Sequence, residues 1–267
     1  MNKIGFIGAG NLASSIIKGL TQSKMDSSIY LFDILRKKAD SLAEEFNAHS
    51  GTFSEVVRKS NVVVLTVKPK DVKGLLLELS GYSLAGKLII AVAAGIRLAV
   101  YEQALSGVGI VRVMPNTSSA VLHSASGLVR GRYVTDEQAT VAENMFSALG
   151  KLVWVEDRKI NAVTAVSGSG PAYLYLFAEL MAKAGVKLGL TEEEAEFFAK
   201  ETLVGTGKML AEGSRTPREL REAVTSPNGT TFAALNIFLQ EGLENIVFKA
   251  MAACLRRAEE MEGEYKR

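Results

Sequence analysis

Cysteine is nearly absent from this 267-residue chain: Cys254 stands alone. No intrachain disulfide can form, and no cysteine-built zinc site is available. The two histidines, His49 and His123, lie far apart in sequence, so a histidine-rich metal centre is not expected and no metal is assigned. Excess charge is lacking too. Lys+Arg is 31 against Asp+Glu 29, a net charge of +2. Such a balance gives no electrostatic footprint for nucleic acid or for an anionic membrane. Long apolar runs are missing: the most apolar stretch, LIIAVAAGI at 88–96, falls well short of the roughly 20 residues needed to span a bilayer. The opening MNKIGFIGAGNLA is broken by glycines and makes a poor secretory signal. These absences point to a soluble, reducing, cytoplasmic setting.

What remains is an ordinary globular composition, 48% hydrophobic and 22% charged. The first half alternates short β-type runs with helical patterns. Strands are expected at Lys3–Ile7, Ser28–Asp33, Asn61–Val67 and Leu88–Val92, with Val108–Val113, Ser126–Val129 and Leu152–Val155 extending the sheet. Helices are expected at Asn11–Leu20 and Arg36–Phe46. NVVVLTV and the run from Leu88 are continuously apolar, as strands buried on both faces are. Strand–helix alternation of this kind implies right-handed crossovers and a doubly wound, mostly parallel sheet.

After about Val155 the β-branched runs give way to patterns rich in Ala, Leu and Glu. Ile160–Leu188 reads as helix interrupted by Gly168, Gly170 and Pro171. Thr191 followed by Glu194 is a capping box, and Thr216-Pro217 opens a further helix. Thr230 to about Glu262 reads as one long final helix. The expected domains are 1–155, dinucleotide-binding, and 156–267, helical.

Gly8-Ala9-Gly10-Asn11-Leu12-Ala13 follows the first strand and opens the first helix, fitting the G-x-G-x-x-A dinucleotide fingerprint. Gly8 permits the tight turn, Gly10 lets backbone approach a pyrophosphate, and Ala13 packs closely. The helix start offers free N–H groups and positive dipole. Asp33 ends the second strand about 20 residues beyond the motif, at the ribose-binding position. Asp33 favours NAD, whereas Arg36, Lys37 and Lys38 just beyond it favour the 2′-phosphate of NADP. Further strand-end loops are Val67-Lys68-Pro69, Ala93-Ala94-Gly95 and Met114-Pro115-Asn116-Thr117. In the second half, Ser167-Gly168-Ser169-Gly170-Pro171 breaks an apolar helical pattern, at a cost a close ligand or partner helix would offset. Ser226-Pro227-Asn228-Gly229-Thr230-Thr231 leads into the last helix with hydroxyls and free N–H donors, an anion site suited to a carboxylate.

GFIGAGNLA, TVKPKDV, VAAGI, RVMPNT, AVSGSGPAY and VTSPNGTT occur in this order over nearly the whole chain. On these segments the sequence resembles the pyrroline-5-carboxylate reductase family. Two departures are visible: Ser118 where the family usually has proline, and Asn228 where it usually has the first glycine of SPGGTT. The resemblance implies an α/β protein with an N-terminal Rossmann-type sheet and an all-α C-terminal dimerisation domain. It implies reduction of 1-pyrroline-5-carboxylate to L-proline with NADP(H), NAD(H) being the alternative. It also implies a homodimer through the C-terminal helices that assembles further. Cofactor binding is then expected at Phe6, Ile7, Gly8, Ala9, Gly10, Asn11, Leu12, Asp33, Arg36, Thr66, Val67, Lys68, Pro69, Ala93, Ala94, Gly95 and Asn116. Substrate binding is expected at Ser167, Gly168, Gly170, Pro171, Ser226, Asn228, Gly229, Thr230 and Thr231, with Thr231 as the catalytic hydroxyl. A β-hydroxyacid dehydrogenase would share the opening motif but needs a lysine one helical turn after its glycine segment. Here Gly170 is followed by PAYLY and no lysine appears until Lys183.

Overall fold

The computed structural model describes residues 2–264. The first part of the chain runs β1 (Asn2–Ile7), α1 (Asn11–Gln22), β2 (Ser27–Phe32), α2 (Arg36–Phe46), β3 (His49–Ser50), α3 (Phe53–Lys59), β4 (Val62–Leu65), α4 (Val72–Leu79), β5 (Leu88–Ala91), α5 (Leu98–Ala104), β6 (Gly109–Met114), β7 (Ser124–Arg130), α6 (Asp136–Ser147) and β8 (Gly150–Trp154). The eight strands form one sheet in the order β3-β2-β1-β4-β5-β6-β7-β8. Neighbours are parallel except β6 and β7, which run antiparallel. That reversal follows from the connection. Only a short 3₁₀ turn, Thr117–Val121, joins the two strands, and a parallel partner would need a full crossover.

Residues of one strand alternate between two cores. Ile4, Phe6, Val62, Val64, Leu88, Ile90, Val111 and Val113 face α1, α2 and α6, packing on Ile16, Leu42 and Phe146. Ile7, Val63, Leu65, Ile89, Ala91 and Ile110 face α3, α4 and α5, packing on Val57, Leu79 and Tyr101. Every residue of β4 and β5 is buried, which is why those segments carry no polar alternation. Each such Val, Leu or Ile contributes about 1.5–3 kcal/mol by leaving water. The expected doubly wound fold is therefore present. The two-residue β3 is an addition, too short to carry a periodic signal.

The remainder is helical: α7 (Ile160–Val163), a π-helical turn (Thr164–Gly168), α8 (Gly170–Lys187), α9 (Glu192–Glu212), α10 (Pro217–Ala223), α11 (Thr230–Gln240) and α12 (Leu243–Glu264). Both expected caps form, at Thr191 and Thr216, each reciprocated by a glutamate. The single helix expected from Thr230 to Glu262 is instead two. Gly242 takes a φ of 73°, a conformation glycine adopts without penalty, and ends α11 before α12 begins.

The chain divides into two compact units between Ser169 and Gly170, and again between Ala253 and Cys254. One unit holds the sheet together with the end of α12, and the other is Gly170–Ala253. Ala258 and Glu262, one turn apart on α12, are buried in the first unit. The expected division at 155/156 follows the change from strands to helices, whereas compactness follows packing. No helix among the described residues is long and apolar enough to cross a membrane.

Candidate active site

At the end of β1 the chain turns sharply through Gly8, whose φ is 107°. A Cβ there would lie 3.0 Å from the Thr66 backbone, so the turn needs glycine twice over. Thr66, just past β4, fastens the turn by donating its hydroxyl to the Gly8 carbonyl at 2.7 Å. Gly10 is the N-cap of α1; no side chain caps it, and the first turn holds no acidic residue. A Cβ added to Gly10 would meet nothing within 4 Å, so the space above the helix start is open to a ligand. By contrast, α3, α6, α9 and α10 all begin with a threonine cap and a Glu or Gln box. The uncapped N–H groups of α1 present the positive end of the helix dipole to an anion. A cleft of about 800 Å³ lies beside them, lined by Gly8, Gly10, Asp33, Thr66, Val67 and Lys68 among others. It opens between the ends of β1 and β4, where the strand order reverses and open α/β sheets take their ligands.

Asp33 has work of its own in this loop. One carboxylate oxygen accepts the Ala9 N–H at 2.8 Å and the other accepts the Leu35 N–H at 2.8 Å. The side chain thereby ties the glycine turn to the β2–α2 connection. Arg36 is exposed and lies 3.6 Å from Asp40, while Lys38 and Lys70 reach the cleft wall. Sequence reading passed over Ile34 and Leu35, which line the same cleft at 87% and 60% exposure. Their place directly after the acidic strand-end residue is the signal that would have found them.

The other expected cofactor residues are distributed unevenly. Ile7 reaches the cleft, but Phe6 is fully buried in the core beneath it. Asn11 is exposed and Leu12 half-buried on the first turn of α1. Pro69 opens a 3₁₀ turn, Pro69–Asp71. Ala93 is buried, Ala94 is half-buried, and Gly95 bends the loop after β5 with a φ of 71°.

Asn116 and Ser167, assigned to cofactor and substrate respectively, are brought together. The Asn116 amide donates to the Ser167 carbonyl and to its hydroxyl, both at 3.2 Å, and the Ser167 hydroxyl donates to the Ala125 carbonyl at 2.6 Å. These bonds anchor the π-helical turn to the sheet, and π turns of this sort recur at functional sites. At Gly168 a Cβ would come 2.6 Å from the Met114 methyl, so a larger residue there would have to push that side chain aside. Pro171 sits in the first turn of α8, where its missing N–H removes no helical bond.

In the second unit, the loop after α10 enters α11 through Gly229, again with no side-chain cap and no acid in the first turn. The Gly229 N–H donates to the Ser226 carbonyl at 3.0 Å, closing a tight turn. Asn228 takes the left-handed conformation, φ 59°, which asparagine tolerates better than most residues. The hydroxyls of Ser226, Thr230 and Thr231 bond to no group among the described residues, and Thr231 is half-buried.

Comparison with known proteins gives this geometry its context. A family described as pyrroline-5-carboxylate reductase dimerisation matches residues 157–261, and one described as NADP oxidoreductase, coenzyme F420-dependent, matches residues 3–95. The pyrroline-5-carboxylate reductase of Pseudomonas aeruginosa is 40% identical over 263 residues, covering 97% of this chain and 96% of its own. The chain belongs to the pyrroline-5-carboxylate reductase family. Among solved members of that family, the Coxiella burnetii structure superposes with a TM-score of 0.92 at 35% identity, over 97% of this chain and 98% of that one. The Plasmodium falciparum structure, with NADP bound, does so with 0.84 at 25% identity, over 98% of each chain. The region matched by the reductase dimerisation family is poor in core: α8 and α11 bury no residue, and α9 buries only Ala195 and Ala199. Among the described residues, no cluster of three His, Cys, Asp or Glu side chains could hold a metal ion.

Proposed function

We infer that the chain reduces the cyclic imine 1-pyrroline-5-carboxylate to L-proline with NADP(H), the last step of proline biosynthesis. The observation that carries the reading is that α1 behind Gly10 and α11 behind Gly229 are both entered through glycine, with no side-chain cap and no acidic residue in the first turn. One suits a pyrophosphate and the other a carboxylate.

Bound NADP(H) supplies a hydride equivalent. The Gly8–Leu12 backbone receives the pyrophosphate, with Thr66 and Asp33 keeping that turn in shape. Arg36 and Lys38, with Lys70 opposite, supply positive charge for a 2′-phosphate, which supports NADP(H) over NAD(H). In the second unit, backbone N–H groups of Ser226–Thr231 receive the substrate carboxylate. The Thr231 hydroxyl meets the ring nitrogen and relays to it a proton from water, giving the iminium that accepts the hydride, and Ser167, Gly168, Gly170 and Pro171 line the substrate pocket. A protonated imine is already a strong electrophile, so alignment does most of the work. Orientation alone supplies up to about 7–11 kcal/mol. The exposed apolar faces of the helical unit support a homodimer built through it, with larger assemblies of that dimer, and the reaction is placed in the cytoplasm.

The test is to mix the protein with NADPH and 1-pyrroline-5-carboxylate and follow loss of the reduced-cofactor absorbance, then repeat with NADH. Oxidation that depends on the imine, faster with NADPH, is expected; no imine-dependent oxidation with either cofactor sinks the reading. Asp33 separates two roles for its carboxylate. If it chiefly braces backbone, Asp33→Asn leaves one loop N–H without an acceptor, a cost of about 1–3 kcal/mol, and raises KM for NADPH and NADH by similar factors. A rise confined to NADH would make it a ribose reader.

A further inference from the structure

The last turns of α12 carry a buried ionic cluster that the reading above does not use. Arg112, on β6, is 3% exposed, and Glu262 is 4% exposed. The Glu262 carboxylate accepts the Arg97 Nε–H at 2.7 Å through one oxygen, and through the other it accepts from both Arg112 terminal nitrogens at 3.3 and 3.4 Å. Asp157 completes the set, 2.8 Å from Arg112. All four belong to the sheet unit. Beside them Met261 presses on the loop after β5: a Cβ on Gly95 would lie 2.8 Å from the Met261 Cβ and 3.1 Å from its methyl.

The two arginines sit in a telling place. Arg97 closes the Ala93–Ile96 loop as the N-cap of α5. Arg112 lies two residues before Met114, ahead of Pro115 and of Asn116, whose amide holds Ser167. Both loops leave the carboxyl ends of parallel strands, the edge where such sheets bind ligands. A carboxylate that grips both arginines therefore fixes one strand-end loop against the other. The Glu262 charge also holds the Arg97 guanidinium above its ordinary range, chiefly through their hydrogen bond.

We propose that Glu262 is a positioning residue for the cofactor, holding the β5–α5 loop and the end of β6 in their binding geometry through Arg97 and Arg112. The proposal rests on the reductase reading for the identity of the cofactor. A strut that serves stability alone would change melting but not affinity, and this difference makes the idea testable.

Arg97→Ala is the first variant, because its side chain is 46% exposed and its removal leaves the Arg112–Glu262–Asp157 pairs intact. The Kd for NADPH is measured by fluorescence titration, without imine, alongside kcat, KM and the melting temperature. The expected result is a rise in Kd and in KM for NADPH of about fivefold, the lower end of coupling between separated elements, with kcat at saturation changed less. Arg97→Lys should recover part of the loss, and Glu262→Gln should exceed it. Unchanged NADPH affinity in folded Arg97→Ala overturns the proposal, whatever its melting temperature. Wild-type protein that binds NADPH but leaves the imine untouched sinks the assigned reaction and spares this inference, while wild type that binds no NADPH overturns both.

Discussion

Thr231→Ala is expected to lower kcat by roughly a hundredfold, the bottom of the range for a general acid, while the Kd for NADPH stays at the wild-type value. The reason for so large an effect at one hydroxyl is local. Thr231 stands in the first turn of α11, half-buried, and its Oγ1 has no partner among the described residues to satisfy it. Removing it therefore breaks no internal hydrogen bond, and the melting temperature should hardly move. Thr231→Ser, which keeps the hydroxyl, should restore much of the rate. Steady-state kinetics at saturating imine, paired with cofactor titration, read both quantities. Unaltered turnover would remove Thr231 from the proton path, and a matching loss of NADPH affinity would make it structural.

The second large effect concerns assembly. Phe248 on α12 is 70% exposed in the single chain, and Leu188, Tyr175, Leu239 and Phe197 are exposed by more than half as well. Phe248→Asp should cost an isolated chain almost nothing, because the site already faces water. In a two-fold dimer each copy loses about 1.5–3 kcal/mol of apolar burial and gains a charge to desolvate, and symmetry counts the penalty twice. Association should fall by several orders of magnitude. Light scattering on the purified variant should report monomer where wild type reports the dimer or its larger assembly, and circular dichroism should show reduced helicity because α8 and α11 have little core of their own. A variant that elutes as wild type would place Phe248 outside the interface.

Much of the architecture was readable from the residues. β4 and β5 were plain because an uninterrupted apolar run suits a strand covered on both sides, and α2 begins and ends where Arg36 and Phe46 predict. The cap at Thr191 was plain because a capping box is written in four consecutive residues, and that at Thr216 because threonine followed by proline opens a helix. What escaped was long-range. Nothing near Asp33 says that its oxygens accept the Ala9 and Leu35 amides, since that depends on how two loops approach. Nothing near Glu262 says that it meets Arg97 and Arg112, 165 and 150 residues away. The break at Gly242 was missed for the opposite reason: the apolar spacing on either side continues through it, and only the backbone conformation separates the two helices. For the candidate site, motifs located the glycine turn and the threonine loop, while the partnership of Asn116 with Ser167 had to be seen.

The position of Glu262 also makes the sheet unit depend on a segment far along the chain. All eight strands precede α12 in the chain, so before α12 docks Arg112 has Asp157 as its sole partner in the cluster. Docking of the last turns of α12 is therefore the step that completes this corner of the sheet unit.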